Sequence, residues 1–356
     1  MEGEESSSSF PMGETAQERA LAHVPECYVI PTSHRPSLIP ETADVPVIDL
    51  VGLQGDSSRR SAIVNDIGNA CRRYGCFQII NHGIDQAVLD GALSSAFEFF
   101  SLPTEEKSKY MSNDVHKPVR YGTSLKDGED KIQFWRVLLK HYAYPLEDWV
   151  KSWPENPPAY REQMGRYAVE VRKLALEIMG AITESLGIGA NYLSNSLEEG
   201  MQVMVVNCYP QCPQPELALG LPSHSDYSCL TILLQSATGL EILVPKPKDG
   251  KWRAVPQLIK GTLQVLVGDH VEVLSNGRYK SVKHRATLHK EKTRVSIASL
   301  HSLGMDEKME TAKELVDEEH PKGYKESSFR DFLNFLAKND IAEEGKGFIE
   351  TLRIQY

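Results

Sequence analysis

Between Val203 and Ala298 the chain runs through five short apolar stretches: Val203-Met-Val-Val206, Leu230-Thr-Ile-Leu-Leu234, Leu240-Glu-Ile-Leu-Val244, Leu263-Gln-Val-Leu-Val267 and Arg294-Val-Ser-Ile-Ala298. Each has the length of a strand and is bounded by Gly, Pro, Asn or Asp, so the region reads as an antiparallel sandwich or jelly roll. Asn276-Gly277 adds a tight-turn signal inside it, and Tyr279-Lys-Ser-Val282 reads as strand-like. The first half has a different texture. Helical spacing runs from Ala62 to Tyr74, from Val88 to Phe100 and from Pro158 to Leu186, with strand-like runs at Val45–Leu50 and Cys76–Ile80. In the tail, Phe329, Phe332 and Phe335-Leu336 fall on one face of a helix over Ser328–Lys338. The expected class is therefore α+β. It comprises a flexible leader over residues 1–44, a mostly helical N-terminal domain over 45–199, a jelly-roll domain over 200–304 and a helical extension over 305–356.

Composition removes several classes of function. The net charge of -10 and pI near 5.6 argue against a nucleic-acid surface, which normally carries excess Lys and Arg. No apolar run approaches the roughly 20 residues of a membrane span. The six cysteines, Cys27, Cys71, Cys76, Cys208, Cys212 and Cys229, form no paired CxxC zinc pattern and read as reduced thiols. The N-terminal MEGEESSSSF is acidic and serine-rich where a secretory signal is basic and then apolar. A monomeric cytoplasmic protein acting on a small molecule is expected, nuclear presence being compatible with the same features.

His224-Ser-Asp226 sets an imidazole and a carboxylate two residues apart, and an extended backbone points both to one side. Alone, such a triplet is weak, because ordinary surface pairs produce it often. His284 supplies a third ligand if a sandwich brings its strand alongside. Two imidazoles and one carboxylate then occupy one face of an ion and leave the opposite positions open. His82, His270 and His301 also sit in or beside apolar runs, where histidines are more often core residues than ligands. A zinc hydrolase uses similar ligands, though no HExxH helix is present. Arg294 and Ser296 again share a strand face, and a guanidinium with a neighbouring hydroxyl suits a carboxylate. Without the upstream triplet, Arg294 would read as a surface strand cation. Asn207 and Tyr209 offer an amide and a phenol to the same region, or plain packing.

Taken in order, Asn207-Cys-Tyr-Pro210, Leu221-Pro-Ser-His-Ser-Asp226, Gly268-Asp269, Leu274-Ser-Asn-Gly277, His284-Arg285 and Arg294-Val-Ser296 closely resemble the plant 2-oxoglutarate/Fe(II)-dependent dioxygenases. Within that family the chain looks most like the flavanone 3-dioxygenase and salicylate-hydroxylase-like group. Gly75-Cys-Phe-Gln-Ile-Ile-Asn-His-Gly83 and Phe99-Phe-Ser-Leu-Pro103 resemble the family's N-terminal cap. The resemblance implies a distorted double-stranded β-helix core. It implies Fe(II) on His224, Asp226 and His284, 2-oxoglutarate anchored by Arg294 and Ser296 with help from Asn207 and Tyr209, O2 as cosubstrate, and ascorbate as a stimulant. The product is usually a hydroxylated substrate, and the leading candidate is a plant phenolic such as a flavanone, within flavonoid biosynthesis. Salicylate and plant hormones are alternatives, and a catalytically silent ligand-binding jelly roll is a rival of another class. Tyr121, Phe134 and Leu300 are candidates for the substrate wall, each with plain core packing as the competing explanation. Leu300 stands where flavonoid-acting relatives often carry an aromatic residue.

Overall fold

Strands covered on both faces read as unbroken apolar runs, whereas a strand with one face to solvent alternates. The runs noted above are of the first kind, and a computed structural model shows what covers them. It describes residues 21–55, 57–123, 132–244, 250–256, 259–339 and 347–355. In chain order the strands are β1 (Val47–Asp49), β2 (Cys76–Ile80), β3 (Val119–Gly122), β4 (Val137–Tyr144), β5 (Met201–Tyr209) and β6 (Leu221–His224). They continue as β7 (Leu230–Gln235), β8 (Leu240–Leu243), β9 (Trp252–Ala254), β10 (Leu263–Val267), β11 (His284–Ala286) and β12 (Arg294–Ser302). One sheet has the order β1-β2-β10-β7-β12-β5-β4-β3 and the other β6-β11-β8-β9. All pairings are antiparallel except β1 with β2.

The two faces of the large sheet have different partners. One face presents Val206 and Cys208, Ile232 and Leu234, Val265 and Val267, Val295 and Ile297 to a helical layer. That layer consists of the helices Ser57–Arg73, Gln86–Phe100 and Tyr160–Ser185, which contribute Ile67, Phe99 and Ile178 among others to the same core. The intervening residues Val205, Asn207, Tyr209, Leu233, Ser296, Ala298 and Leu300 face a cavity of about 680 Å³. The small sheet closes the other side with Leu221, His224, Leu240, Leu243, Trp252, His284 and Ala286. This arrangement of two sheets around a central space is the expected double-stranded β-helix.

Several local expectations are corrected. Residues 45–199 hold the expected helices Ser57–Arg73, Gln86–Phe100 and Tyr160–Ser185, and their four strands, β1 to β4, all join the large sheet. Strand β4 escaped notice because both its faces are covered and Lys140 and His141 interrupt the apolar pattern; Lys140 Nζ donates to Val115 O at 2.9 Å. Tyr279–Val282 forms no strand. It is held as an extended connection by Ser275 Oγ, which accepts from Tyr279 N, and by Glu272 Oε2, which accepts from Ser281 N. Asn276-Gly277, with φ of 52° and 75°, does form a tight turn, and it ends the short helix Asp269–Leu274. The leader expected to be flexible to residue 44 packs from Val24 onward, with Cys27, Tyr28, Ile30 and Ala43 buried. The tail helix Phe329–Lys338 starts as its sequence indicates, with a capping box between Ser328 and Asp331. All six cysteines are buried free thiols.

The small sheet is tied by an ion pair. Glu241 and Arg285 are register partners on β8 and β11, and Arg285 Nε donates to Glu241 Oε2 at 2.7 Å. Their side chains are 2% and 5% exposed. Arg285 also donates to His34 O and lies over the Trp252 ring, so it fastens the N-terminal segment to the strand that carries His284. Removing one partner strands a buried charge, which costs about 3–5 kcal/mol. Chemical denaturation of Glu241→Ala is therefore expected to show a loss of that size. The double replacement Glu241→Leu with Arg285→Met is expected to cost less than Glu241→Ala alone.

Candidate active site

The register of β6 against β11 builds the candidate metal position. His224 and His284 are direct partners across this pair, and their ring centroids lie 4.1 Å apart. Asp226 follows just beyond β6. Its Oδ1 lies 3.5 Å from His224 Nε2 and 3.7 Å from His284 Nε2, and one donor atom from each of the three residues lies within 4.8 Å of the others. An ion with bonds of about 2.1 Å spans donor atoms up to roughly 4.2 Å apart. The carboxylate-to-imidazole separations fit such an ion.

Both imidazoles are oriented from behind. His224 Nδ1 donates to Pro222 O at 2.9 Å, and His284 Nδ1 donates to Val282 O at 3.1 Å. In each case the ring is held by the carbonyl two residues upstream. With Nδ1 carrying the proton, Nε2 keeps its lone pair for a metal. Burial, reinforced by the neighbouring His224, pushes His284 down to about 4, so it is neutral at neutral pH. For Asp226, burial alone would raise the carboxyl. The His284 and His224 imidazoles beside it and a hydrogen bond from Thr231 outweigh that and hold it well below the ordinary carboxylate range. The set therefore presents two imidazole Nε2 atoms, that of His284 neutral, and one anionic oxygen.

Across the cavity, β12 and β5 present two cross-strand pairs. Arg294 faces Tyr209, and Ser296 faces Asn207. Arg294 is fully enclosed, 2% exposed, with its guanidinium 4.8 Å from the centroid of the Tyr209 ring. Its Nε donates to Ala237 O at 3.1 Å and Nη2 to Gln235 Oε1 at 2.8 Å, while Nη1 has no partner. Burial lowers the guanidinium from its ordinary value and the adjacent Tyr209 opposes this; arginine nonetheless keeps its charge. A buried cation with an unpaired donor and no carboxylate partner among the described residues calls for an anionic ligand. The backbone has been thinned to admit these side chains. A Cβ on Gly239 would sit 3.0 Å from Arg294 Cδ, and one on Gly220 would overlap the Tyr209 ring.

All seven metal and keto-acid candidates line the same cavity: His224, Asp226, His284, Arg294, Ser296, Asn207 and Tyr209. Two of the three wall candidates, Phe134 and Leu300, line it as well. Tyr121 does not. It is wholly buried in the main core, edge-on to Phe99 at 6.1 Å, because β3 lies at the far edge of the large sheet. The sequence reading missed Arg136, Ile30 and His34 in the N-terminal half, and Phe332, Phe335 and Phe348 from the tail, all of which line the cavity. The phenylalanine spacing did mark an apolar helix face, but nothing local told where that face docks. Arg136 carried no signal at all.

Residues 200–302 match the family model described as the 2OG-Fe(II) oxygenase superfamily. Residues 45–157 match the model for the N-terminal region of the non-haem dioxygenase in morphine synthesis. Among curated proteins, flavanone 3-dioxygenase 3 of Oryza sativa subsp. japonica is 51% identical over 326 residues, which span 91% of this chain and 98% of that protein. Protein DOWNY MILDEW RESISTANCE 6 of Arabidopsis thaliana is 39% identical, covering 90% of this chain and 93% of its own length. Among solved structures, that of JOX2 in complex with 2OG, Fe and JA superposes with a TM-score of 0.84 at 31% identity, over 96% of this chain and 98% of that one.

Two replacements separate the two halves of the site. Asp226→Ala removes the anionic ligand, and metal analysis of the purified variant is expected to find iron lost. Arg294→Lys keeps the iron but gives up the planar fork. Calorimetry is expected to show 2-oxoglutarate bound more weakly by about 1–3 kcal/mol, the scale of a charge-assisted bond. Unchanged iron and keto-acid affinity in both variants would contradict the assignment.

Proposed function

Since the chain belongs to the 2OG-Fe(II) oxygenase superfamily, we propose that this Fe(II)- and 2-oxoglutarate-dependent dioxygenase hydroxylates a small plant phenolic of the flavanone type. The observation that carries this is the shared cavity, in which the metal ligands and Arg294 open onto a largely apolar chamber. Its walls include Phe134, Leu219, Leu221, Trp252, Leu300, Phe332 and Phe335. Aromatic and aliphatic walls with a few polar groups suit a flat, weakly polar substrate. The 51% identity to a flavanone 3-dioxygenase supports the same class.

When bound, Fe(II) with 2-oxoglutarate and O2 supplies the oxidant, and the keto acid leaves as succinate and CO2. The protein contributes position. His224, Asp226 and His284 would hold the metal, and Arg294 with Ser296 would take the carboxylate of the keto acid. The charge balances: the metal with one Asp is a net monocation, the keto-acid dianion reverses it, and Arg294 neutralises the result. The apolar walls would exclude water and hold the target C–H bond near the three metal-holding residues. Asn207 and Tyr209 support the keto acid from β5.

A second reading has its own support. Arg136 and Lys283, both cations, also line the cavity, so a carboxylated substrate is the alternative. The test is a panel of flavanones, salicylate and hormone acids supplied with Fe(II), 2-oxoglutarate and O2, with succinate and product measured together. Succinate formation coupled one-to-one to a hydroxylated flavanone is expected. Coupling only to carboxylic acids would replace the flavanone by the second reading, and no coupled turnover with any member would reject both.

Phe134 separates wall from core. It is 3% exposed and lines the cavity beside Arg136. Steady-state kinetics of Phe134→Ala are expected to show KM for the phenolic raised about tenfold, the equivalent of roughly 1.4 kcal/mol of lost contact, with KM for 2-oxoglutarate unchanged.

A further inference from the structure

Asn207 lines the cavity from β5, and its side chain has a fixed orientation. The guanidinium of Arg136 donates from Nη1 to Asn207 Oδ1 at 2.8 Å, and both residues are buried, 8% and 4% exposed. Arginine has donors and no acceptor, so the atom of the Asn207 amide that meets it must be the oxygen. The amide nitrogen is therefore turned the other way. One of its two N–H groups has a long contact of 3.4 Å to Val205 O, leaving the other for a ligand. Ser296, the register partner of Asn207 across β5 and β12, lines the same cavity.

Arg136 is itself held from several sides. Its own N–H donates to Phe134 O at 2.8 Å. The preceding Trp135 donates from its indole to Gln211 O at 3.1 Å and from its backbone to Leu219 O at 2.9 Å. Trp135 also stands edge-on to Tyr28, with centroids 5.1 Å apart, and Gln133 N donates to Cys27 O. The start of β4 is thereby clamped between the N-terminal segment and the loop after β5. The same device recurs between β12 and β7, where Arg294 Nη2 donates to Gln235 Oε1 and leaves the Gln235 amide nitrogen buried without a partner. Each of two amides on the large sheet thus has its oxygen occupied by an arginine.

We propose that Arg136 is a positioning residue for 2-oxoglutarate: it locks the Asn207 amide with its nitrogen towards the keto acid, so that Asn207 acts as a hydrogen-bond donor to it. A flipped amide would present its oxygen to an anionic ligand and repel it. Loss of Arg136 removes the charge-assisted bond that forbids the flip. The inference concerns the keto acid and is independent of which substrate is oxidised.

The test is calorimetric titration of 2-oxoglutarate into the full-length Fe(II)-loaded protein under anaerobic conditions. Arg136→Met is expected to weaken 2-oxoglutarate binding about tenfold, the scale of one hydrogen bond to a charged group, with iron content unchanged. Arg136→Lys, which restores a donor, is expected to recover most of the affinity. Asn207→Asp keeps an oxygen for Arg136 but has no N–H to give, and is expected to match or exceed the loss in Arg136→Met. Adding Arg136→Met to Asn207→Ala is expected to change affinity no further, because the two act through one contact. Wild-type 2-oxoglutarate affinity in Arg136→Met with iron retained would overturn the proposal. So would a defect confined to KM for the oxidised substrate, which would make Arg136 a contact to that substrate instead. If Arg136→Met does not fold, Arg136→Lys and Asn207→Asp decide between these outcomes on their own.

Discussion

The antiparallel pairing of β6 with β11 is the contact on which the site depends. It opposes His224 and His284 directly, and the chain leaving β6 needs only two more residues to bring Asp226 beside both. Because side chains alternate along a strand, a slip of one residue would turn one imidazole away from the cavity. The register is fixed by more than the ladder. The Glu241–Arg285 ion pair locks β11 to β8, and Arg285 reaches back to His34. Each ring is then oriented by the carbonyl two residues before it, so the same short segments that set the strand register also set the tautomer.

Charge is distributed to match. The neighbouring imidazoles hold the Asp226 carboxyl low against its burial, burial keeps His284 neutral against the pull of Asp226, and on the opposite sheet a buried arginine keeps an unfilled donor. Neither half is electrostatically complete alone. A metal ion on the one side and a carboxylate ligand on the other would complete both.

The sequence revealed the site better than the scaffold, for physical reasons. His224, Asp226, Arg294 and Ser296 were legible because two-residue spacing on an extended chain puts side chains on one face whatever the neighbours do. Strands β7, β10 and β12 were legible as apolar runs because both sides of the sheet are covered. Strand β11 was not, since His284-Arg-Ala286 has no apolar pattern and owes its conformation to partners far away in the chain. Strands β3 and β4 were hidden among helices, and Tyr121 was placed on the cavity wall although its strand lies at the sheet edge, in the main core. Arg136 acts on Asn207 across 71 positions, a relation that no local pattern encodes. The tail helix was visible as an element, but its docking beside Tyr227, whose ring stacks on Phe332 at 4.7 Å, follows only from the fold.

The central claim is that the triad and Arg294 together form one iron and keto-acid site. Its most direct test is an anaerobic titration of the Fe(II)-loaded protein with 2-oxoglutarate, monitored for the weak visible charge-transfer band of a keto acid chelated to iron. The band is expected to appear and to saturate at one equivalent of 2-oxoglutarate per iron. Iron bound at full occupancy with no band at any concentration of 2-oxoglutarate would contradict the account.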